Sequence, residues 1–191
     1  MIPEVGGSGW ETWRGEIPSV LIDRVAPRMW RVTCLAVAVA MAERVAAERQ
    51  RRNWHKQRPE RNRPGGGRGY DAQLADHRIG AYGEVAVAGV LQVPYRGPVD
   101  RPIRVTDVGG LHVKTSRRAG GDLIIQADEE DLSERFVLCT AEGLRGGVTI
   151  HLRGWCYGWE REGHYGDPYE TGRPAYFIPQ DVLRPLPDLW G

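Results

Sequence analysis

Cysteine, lysine and long apolar runs are all scarce in this sequence. Cysteine occurs only at Cys34, Cys139 and Cys156, with no pair spaced as CxxC. This spacing excludes a disulfide scaffold and the usual structural zinc sites, and it favours a reducing, cytoplasmic compartment. The apolar stretch from Trp30 to Ala42 covers about 13 residues, short of the ~20 that a membrane span needs. We therefore expect no membrane partner, and the N-terminus also lacks the basic start of a secretory signal.

An excess of charge of one sign is missing too. The sequence has 26 Lys and Arg against 25 Asp and Glu, which gives a formal net charge of +1. A protein that is basic overall is excluded, so any nucleic-acid-binding surface has to be local. Only Lys56 and Lys114 are lysines, which makes a lysine the exception among the basic side chains. The length of 191 residues suits one domain with an appendage.

The composition changes along the chain and predicts three segments. Residues 1–52 are expected to form an N-terminal helical arm, because Pro27 precedes an Ala- and Val-rich stretch with helical spacing from about Arg28 to Arg52. Residues 53–70 contain prolines and a Gly-Gly-Gly run, so we expect a basic linker there. Residues 71–191 are expected to form the main α/β domain.

Positive charge is concentrated around that linker. Eight basic residues face a single acid, Glu60, and they are Arg49, Arg51, Arg52, Lys56, Arg58, Arg61, Arg63 and Arg68. Trp54 and Tyr70 lie within and beside this stretch. Clustered arginines with interspersed aromatic rings suit phosphate contacts and base stacking, although a solvated linker has the same composition. Arg117 and Arg118 form a second, smaller basic pair.

The main domain shows one helical pattern followed by short strand-like runs. Helical periodicity covers Ile79 to Leu91. The strand-like runs are Ile103–Thr106, Leu111–Thr115, Leu123–Gln126, Phe136–Thr140, Val148–Gly154 and Ala175–Ile178. This order predicts an α/β fold in which helices flank a mixed β-sheet. The acidic stretch from Asp128 to Glu134 is expected to be a short helix or an exposed turn.

Polar groups converge around the Leu111–Thr115 run. Side chains alternate across a strand, so His112 and Lys114 would share one face while Leu111 and Val113 enter the core. Asp107 stands just before a Gly-Gly turn and could approach the same space, or it could simply be a turn residue. Upstream, Glu84 is an acid within an apolar helix, where a buried carboxylate needs a partner or a metal. Alternatively, Glu84 could form an ion pair at the surface of the helix. Lys114 could likewise be an ordinary solvent-exposed residue of the strand.

The stretches GAYGEVAVAGVL, TDVGGLHVKTS and RPAYFIPQDVLRPLPDL resemble the PD-(D/E)XK nuclease superfamily, in particular its compact phage-encoded members. The resemblance implies a restriction-endonuclease-like fold and a divalent-metal-dependent DNA nuclease that uses Mg²⁺ or Mn²⁺. It implies Glu84 and Asp107 as catalytic metal ligands and Lys114 as the catalytic lysine. It also places the protein in phage or mobile-element DNA processing in a bacterial cytoplasm, and it leaves a homodimer open.

One position departs from the family pattern. His112 stands two residues before Lys114, where the family has Glu or Asp. Magnesium prefers oxygen ligands, whereas imidazole suits softer metals such as manganese. His112 is therefore either a ligand to a softer metal, a group acting on the nucleophilic water, or the mark of a degenerate site that only binds DNA.

A protein of a different class is the further alternative. The C-terminal region is rich in aromatic residues, namely Trp155, Tyr157, Trp159, Tyr165, Tyr169, Tyr176 and Phe177. Such a region also suits a protein-interaction factor without catalytic activity.

Overall fold

The protein is described from a computed structural model. The structure describes residues 17–26, 29–56, 69–95, 97, 106–127, 132–143, 148–168 and 174–189, with residues 54–56 as backbone only. The described elements are, in chain order, β1 (Val20–Ala26), β2 (Met29–Cys34), α1 (Ala36–Lys56), α2 (Tyr70–Leu91), β3 (Leu111–Ser116), β4 (Leu123–Gln126), β5 (Arg135–Glu142), β6 (Val148–Tyr157), β7 (Tyr165–Gly166) and β8 (Ala175–Ile178). Short 3-10 turns cover Gly158–Arg161, Gln180–Val182 and Leu186–Leu189.

The described elements form a mixed α/β fold with a five-stranded and a three-stranded sheet. The larger sheet has the order β1-β2-β6-β5-β3, and all of its neighbours are antiparallel except β5 and β3, which run parallel. The smaller sheet has the antiparallel order β4-β8-β7. The general α/β prediction is therefore confirmed.

The larger sheet lies between two apolar layers. One core joins α1 and α2 to one face of the sheet, through side chains such as Val85, Val113 and Ile150. The other core joins the small sheet to the opposite face, where Ile125 and Ile178 pack against Phe136. Alternation along β5 explains this division, because Val137 enters the helical core while Phe136 enters the second core. The three cysteines are buried and free.

The first third of the chain differs from the helical arm that the sequence predicts. Residues 20–34 form β1 and β2, and β2 pairs with β6 in the same sheet as the rest of the protein. The β-branched and aromatic residues of β2 find cross-strand partners in β6, more than 100 residues away, while β1 pairs with the outer edge of β2. That long-range pairing decides the conformation of this stretch. The helix then starts at Ala36 and continues to Lys56, into the segment expected to be a linker. Residues 57–68 lie outside the described residues.

The strand predictions in the main domain mostly agree with the structure. The runs at Leu111, Leu123, Phe136, Val148 and Ala175 correspond to β3, β4, β5, β6 and β8, with shifts of a few residues at some ends. The predicted helix at Ile79 is longer and begins at Tyr70. Most of the expected strand from Ile103 lies outside the described residues, as does the start of the acidic stretch. No helix among the described residues is long and apolar enough to cross a membrane.

Candidate functional site

The candidate site lies on β3, at one edge of the larger sheet. Leu111 and Val113 are buried in the core formed with α2, so His112 and Lys114 point to the opposite face. The His112 ring stacks on Phe136, with centroids 4.8 Å apart, and the Nζ of Lys114 lies 5.8 Å from the centroid of the same ring. The predicted alternation along this strand is confirmed, and both polar side chains share one aromatic neighbour.

A tight turn brings Asp107 back to the strand. Val108 and Leu111 exchange two backbone hydrogen bonds around Gly109 and Gly110, whose φ angles are +57° and +81°. Two consecutive left-handed residues are what a two-residue hairpin turn of this hand requires, and glycine adopts them without strain. The turn places Asp107 beside β3, where its Oδ2 accepts a hydrogen bond of 2.8 Å from the backbone N–H of Val113.

His112 lies between two carboxylates. Its Nε2 is 2.7 Å from Oε2 of Glu134, and its Nδ1 is 4.0 Å from Oδ2 of Asp107. The imidazole is 6% exposed, whereas the side chains of Glu134 and Asp107 are 18% and 26% exposed. A carboxylate only accepts hydrogen bonds, so Nε2 carries a proton that it donates to Glu134. Nδ1 then has either a lone pair or a second proton directed at Asp107.

Glu134 is the member of this group that the sequence did not single out. It stands in the acidic stretch before β5, where a turn or a solvated surface is the expectation. Its contact with His112 depends on the parallel register in which His112 is opposite Phe136. In the sequence, Glu134 is recognisable only as an acid just before a predicted strand. Nothing in this pattern indicates that the neighbouring strand is β3, which carries His112.

Glu84 has a different environment, among the two helices. Arg49 donates two hydrogen bonds to its carboxylate, from NH1 to Oε1 at 2.9 Å and from NH2 to Oε2 at 2.7 Å. The hydroxyl of Tyr95 donates a third, at 2.9 Å to Oε2. The sequence correctly indicated a carboxylate that needs a partner, and in this structure the partners are a guanidinium and a phenol.

The electrostatics of this buried group follow from its desolvation. Burial raises the pKa of Glu84 above its ordinary value, and Arg49 opposes that rise while Asp107 adds to it. Burial also opposes the charge of Arg49, yet the Glu84 carboxylate raises the pKa of this guanidinium overall. Burial keeps the pKa of Tyr95 well above its ordinary range. Asp107 is thus an electrostatic neighbour of Glu84 as well as of His112.

The four residues predicted for the nuclease site are therefore divided between the two faces of β3. Asp107 and His112 are together, with Lys114 on the face of His112. Glu84 belongs to α2, which packs on the other face: a Cβ on Gly83 would lie 1.9 Å from Oγ1 of Thr115. Asp107 stands at the sheet edge between the two groups.

The described side chains around β3 do not form a complete set of metal ligands. The described part of the chain contains no group of three or more His, Cys, Asp or Glu side chains arranged to hold a metal ion. The best pair of donors is Oδ2 of Asp107 and Nδ1 of His112, which face each other 4.0 Å apart. One oxygen and one nitrogen suit manganese better than magnesium. Both oxygens of Glu84 already accept hydrogen bonds.

The basic residues of the described segment make ion pairs within the fold. Arg49 contacts Glu84, and both Arg51 and Arg52 contact Glu48. Arg117 contacts Asp76 at 3.0 Å, while the exposed Arg118 donates its backbone N–H to Ser116. The remaining basic positions of the predicted linker, which are the Lys56 side chain, Arg58, Arg61, Arg63 and Arg68, lie outside what the structure describes.

Comparisons of the chain with protein-family models, with curated proteins and with solved structures found no match.

Proposed function

We propose that this protein is a divalent-metal-dependent DNA nuclease with a restriction-endonuclease-like fold, acting in phage or mobile-element DNA processing. The observation that carries the proposal is that His112, on the edge strand that also bears Lys114, lies between the carboxylates of Asp107 and Glu134. A histidine that ligates a metal usually donates its other ring N–H to a carboxylate, and the contact between His112 and Glu134 has this form.

In this proposal Asp107 and His112 hold the cation, and Glu134 fixes the orientation and tautomer of the imidazole. A bound divalent cation would polarise the phosphoryl oxygen and lower the pKa of a bound water. Lys114 would orient that water and stabilise the charge that develops on the phosphate. Its ammonium is a compact charge, which suits this role better than a planar guanidinium.

Glu84 takes a positioning role in the proposal. Its carboxylate is buried and saturated by Arg49 and Tyr95. Burial is the main cause that raises the pKa of Glu84, and the negative charge of Asp107 adds to this rise. Glu84 and Arg49 together would hold α2 against α1, and α2 packs against the strand that carries His112 and Lys114.

The proposal is tested with supercoiled plasmid and branched DNA in Mn²⁺, in Mg²⁺ and in EDTA. We expect cleavage that depends on the metal and is stronger in Mn²⁺ than in Mg²⁺. Lys114→Ala should abolish cleavage and leave DNA binding largely intact. Arg44→Ala is the matched control, since it removes an exposed positive charge elsewhere on the protein. Equal cleavage by Lys114→Ala and Arg44→Ala would remove Lys114 from the mechanism.

The contact between Arg49 and Glu84 favours a second candidate, a nuclease-like protein that binds DNA without cutting it. In that case the Arg49 guanidinium stays bound to Glu84, the helix carboxylate that binds a metal in the PD-(D/E)XK nucleases. The same assay separates the two candidates. A gel shift that weakens steeply with salt, without cleavage in any metal, would support the second candidate.

A further inference from the structure

An arginine is surrounded by three aromatic rings at the end of β6. The guanidinium carbon of Arg184 lies 5.4 Å from the ring centroids of Trp155 and Tyr157 and 5.9 Å from that of Trp159. Tyr157 and Trp159 are stacked, with centroids 5.7 Å apart and planes 15° from parallel. The distances are those of cation–π contacts, and Trp155 meets the Tyr157 ring of this stack edge-on, with planes 72° apart.

Hydrogen bonds hold the two side chains that pack against this stack, Trp155 and Arg184. The indole N–H of Trp155 donates to the carbonyl of Pro185 at 2.9 Å, and Arg184 donates from Nε to both oxygens of Glu160 at 3.0 Å. Trp155 is buried, whereas Trp159 at the outer end of the stack is 49% exposed. A large apolar ring that is held in place and half exposed is pre-organised for a flat partner.

The stack adjoins the candidate site through the backbone. The N–H of Gly158 donates to the carbonyl of Glu134 at 2.8 Å, and the N–H of Trp159 donates to the carbonyl of Leu132 at 2.9 Å. Glu134 is the carboxylate that holds His112. Trp159 therefore lies directly beside the segment that positions the imidazole.

A second aromatic and arginine pair belongs to the same 3-10 turn. The guanidinium of Arg161 lies 4.4 Å from the ring centroid of Tyr176. Tyr176 in turn contacts the exposed Tyr165, with centroids 5.2 Å apart. Arg161 itself is buried, so the surface here combines the exposed aromatic rings with one positive charge, that of Arg184, which Glu160 partly neutralises.

We infer that Trp159 is a stacking site for an unpaired base, so that the substrate of the nuclease proposed above is DNA with a single-stranded segment. Aromatic faces bind bases of any sequence, because every base has a π-face, and a neighbouring arginine such as Arg184 favours a phosphate backbone. A base stacked on Trp159 would leave its strand beside the Glu134 segment. This inference rests on the proposed function only for the statement that the bound strand is also cut.

The test measures binding in EDTA, so that no cleavage interferes. Fluorescence anisotropy of a short labelled oligothymidylate and of a duplex of equal length is compared for the full chain and its variants. We expect Trp159→Leu, which keeps apolar bulk but removes the π-face, to weaken single-strand binding about 10-fold. Trp159→Phe should retain most of the affinity. Val182→Ala is the matched control, because it truncates another exposed apolar side chain.

Single-strand affinity of Trp159→Leu equal to that of Val182→Ala would overturn the inference, as would a wild-type protein that binds the duplex but not the single strand. Thermal unfolding of each variant shows whether an effect arises from loss of the fold, and Trp159→Phe provides a second variant if Trp159→Leu does not fold. Plasmid cleavage is measured in parallel. If the protein cleaves plasmid but Trp159→Leu binds the single strand normally, the proposed nuclease function stands and the stacking site is rejected. If Trp159→Leu weakens single-strand binding but the protein does not cleave, the stacking site stands and the nuclease function is rejected.

Discussion

The guanidinium of Arg49 and the carboxylate of Glu84 form a two-point hydrogen-bonded pair between α1 and α2. The two residues are 35 positions apart and both are largely removed from solvent. The parallel geometry of two N–H donors on two oxygens is available to arginine and not to lysine. The pair therefore joins the two helices at one fixed point, next to the proposed site.

Removal of Arg49 is expected to destabilise the fold strongly. Loss of one partner leaves the other charge buried, which costs about 3–5 kcal/mol of unfolding free energy. Urea unfolding of Arg49→Leu measures this cost. Arg51→Leu is the matched control, because Arg51 is exposed and contacts Glu48 near the surface of the same helix. Equal midpoints for the two variants would contradict a structural role for the buried pair.

The cost of Arg49→Leu should also depend on pH. Burial raises the pKa of Glu84, and without Arg49 this rise is no longer opposed. The folded variant then binds a proton more tightly than the unfolded chain, whose Glu pKa is about 4.3. Stability is consequently lost as the pH rises from that value through the folded pKa. Because the pKa of Glu84 is raised further in the variant than in the wild type, the difference in stability between the two is expected to grow as the pH rises above the ordinary Glu value. A difference that stays constant over this rise would count against this account.

Replacement of Glu134 should weaken metal binding without a direct contact to the metal. Glu134→Ala leaves the imidazole of His112 without its carboxylate partner, and such changes cost about 10–100-fold in affinity. Calorimetric titration of the full chain with Mn²⁺ measures the effect. The matched control is Glu142→Ala, since Glu142 makes a similar contact of 2.8 Å to Nε2 of His151 on another part of the sheet. Unchanged Mn²⁺ affinity in Glu134→Ala would remove His112 from the ligand set.

Two glycines of α2 should respond in opposite ways to alanine. Gly83→Ala would place a Cβ 1.9 Å from Oγ1 of Thr115 and force α2 away from β3. We expect the unfolding free energy to fall by about 2 kcal/mol or more. At Gly80 the nearest atom, NH1 of Arg49, would be 4.0 Å away. Gly80→Ala should therefore stabilise the helix by about 0.5–1 kcal/mol. Thermal and urea unfolding distinguish the two, and a neutral Gly83→Ala would contradict the close packing.

The basic positions of the predicted linker are tested by their effect on salt dependence. Replacement of Arg58, Arg61, Arg63 and Arg68 by glutamine should weaken DNA binding. The slope of log affinity against log salt should become shallower by about 0.7–0.9 for each phosphate that the variant no longer neutralises. The same four positions replaced by lysine keep the charge and form the control. A slope that glutamine leaves unchanged would show that this segment only connects the helices.

The parts of the fold that the sequence predicted are those with local signals. Alternation identified β3 correctly, and the Gly109-Gly110 pair marked its turn. Residues 20–34 were predicted as part of a helical arm, because the pairing of β2 with β6, on which β1 in turn pairs, depends on residues far along the chain. An apolar stretch beside a proline does not by itself distinguish a helix from a pair of strands.

The same limit applies to the candidate site. The sequence indicated Asp107, His112 and Lys114, because the turn and the strand place them near one another along the chain. The contacts of Glu84 with Arg49 and of His112 with Glu134 join separate elements, and only the packing of helices and the register of β3 on β5 bring them together. A single sequence carries no signal for either.

Asp107 also closes the edge of the larger sheet. Its carboxylate accepts the N–H of Val113 on the side of β3 away from β5, and its own N–H donates to Leu111. An open strand edge invites pairing with another chain, and a carboxylate in this position acts as a barrier to such aggregation. In the proposed function, the same carboxylate would therefore serve both the metal site and the protection of this strand edge. A substitution that moves the Asp107 carboxylate away from Val113 would leave the backbone N–H of Val113 open to pairing with a strand of another protein molecule.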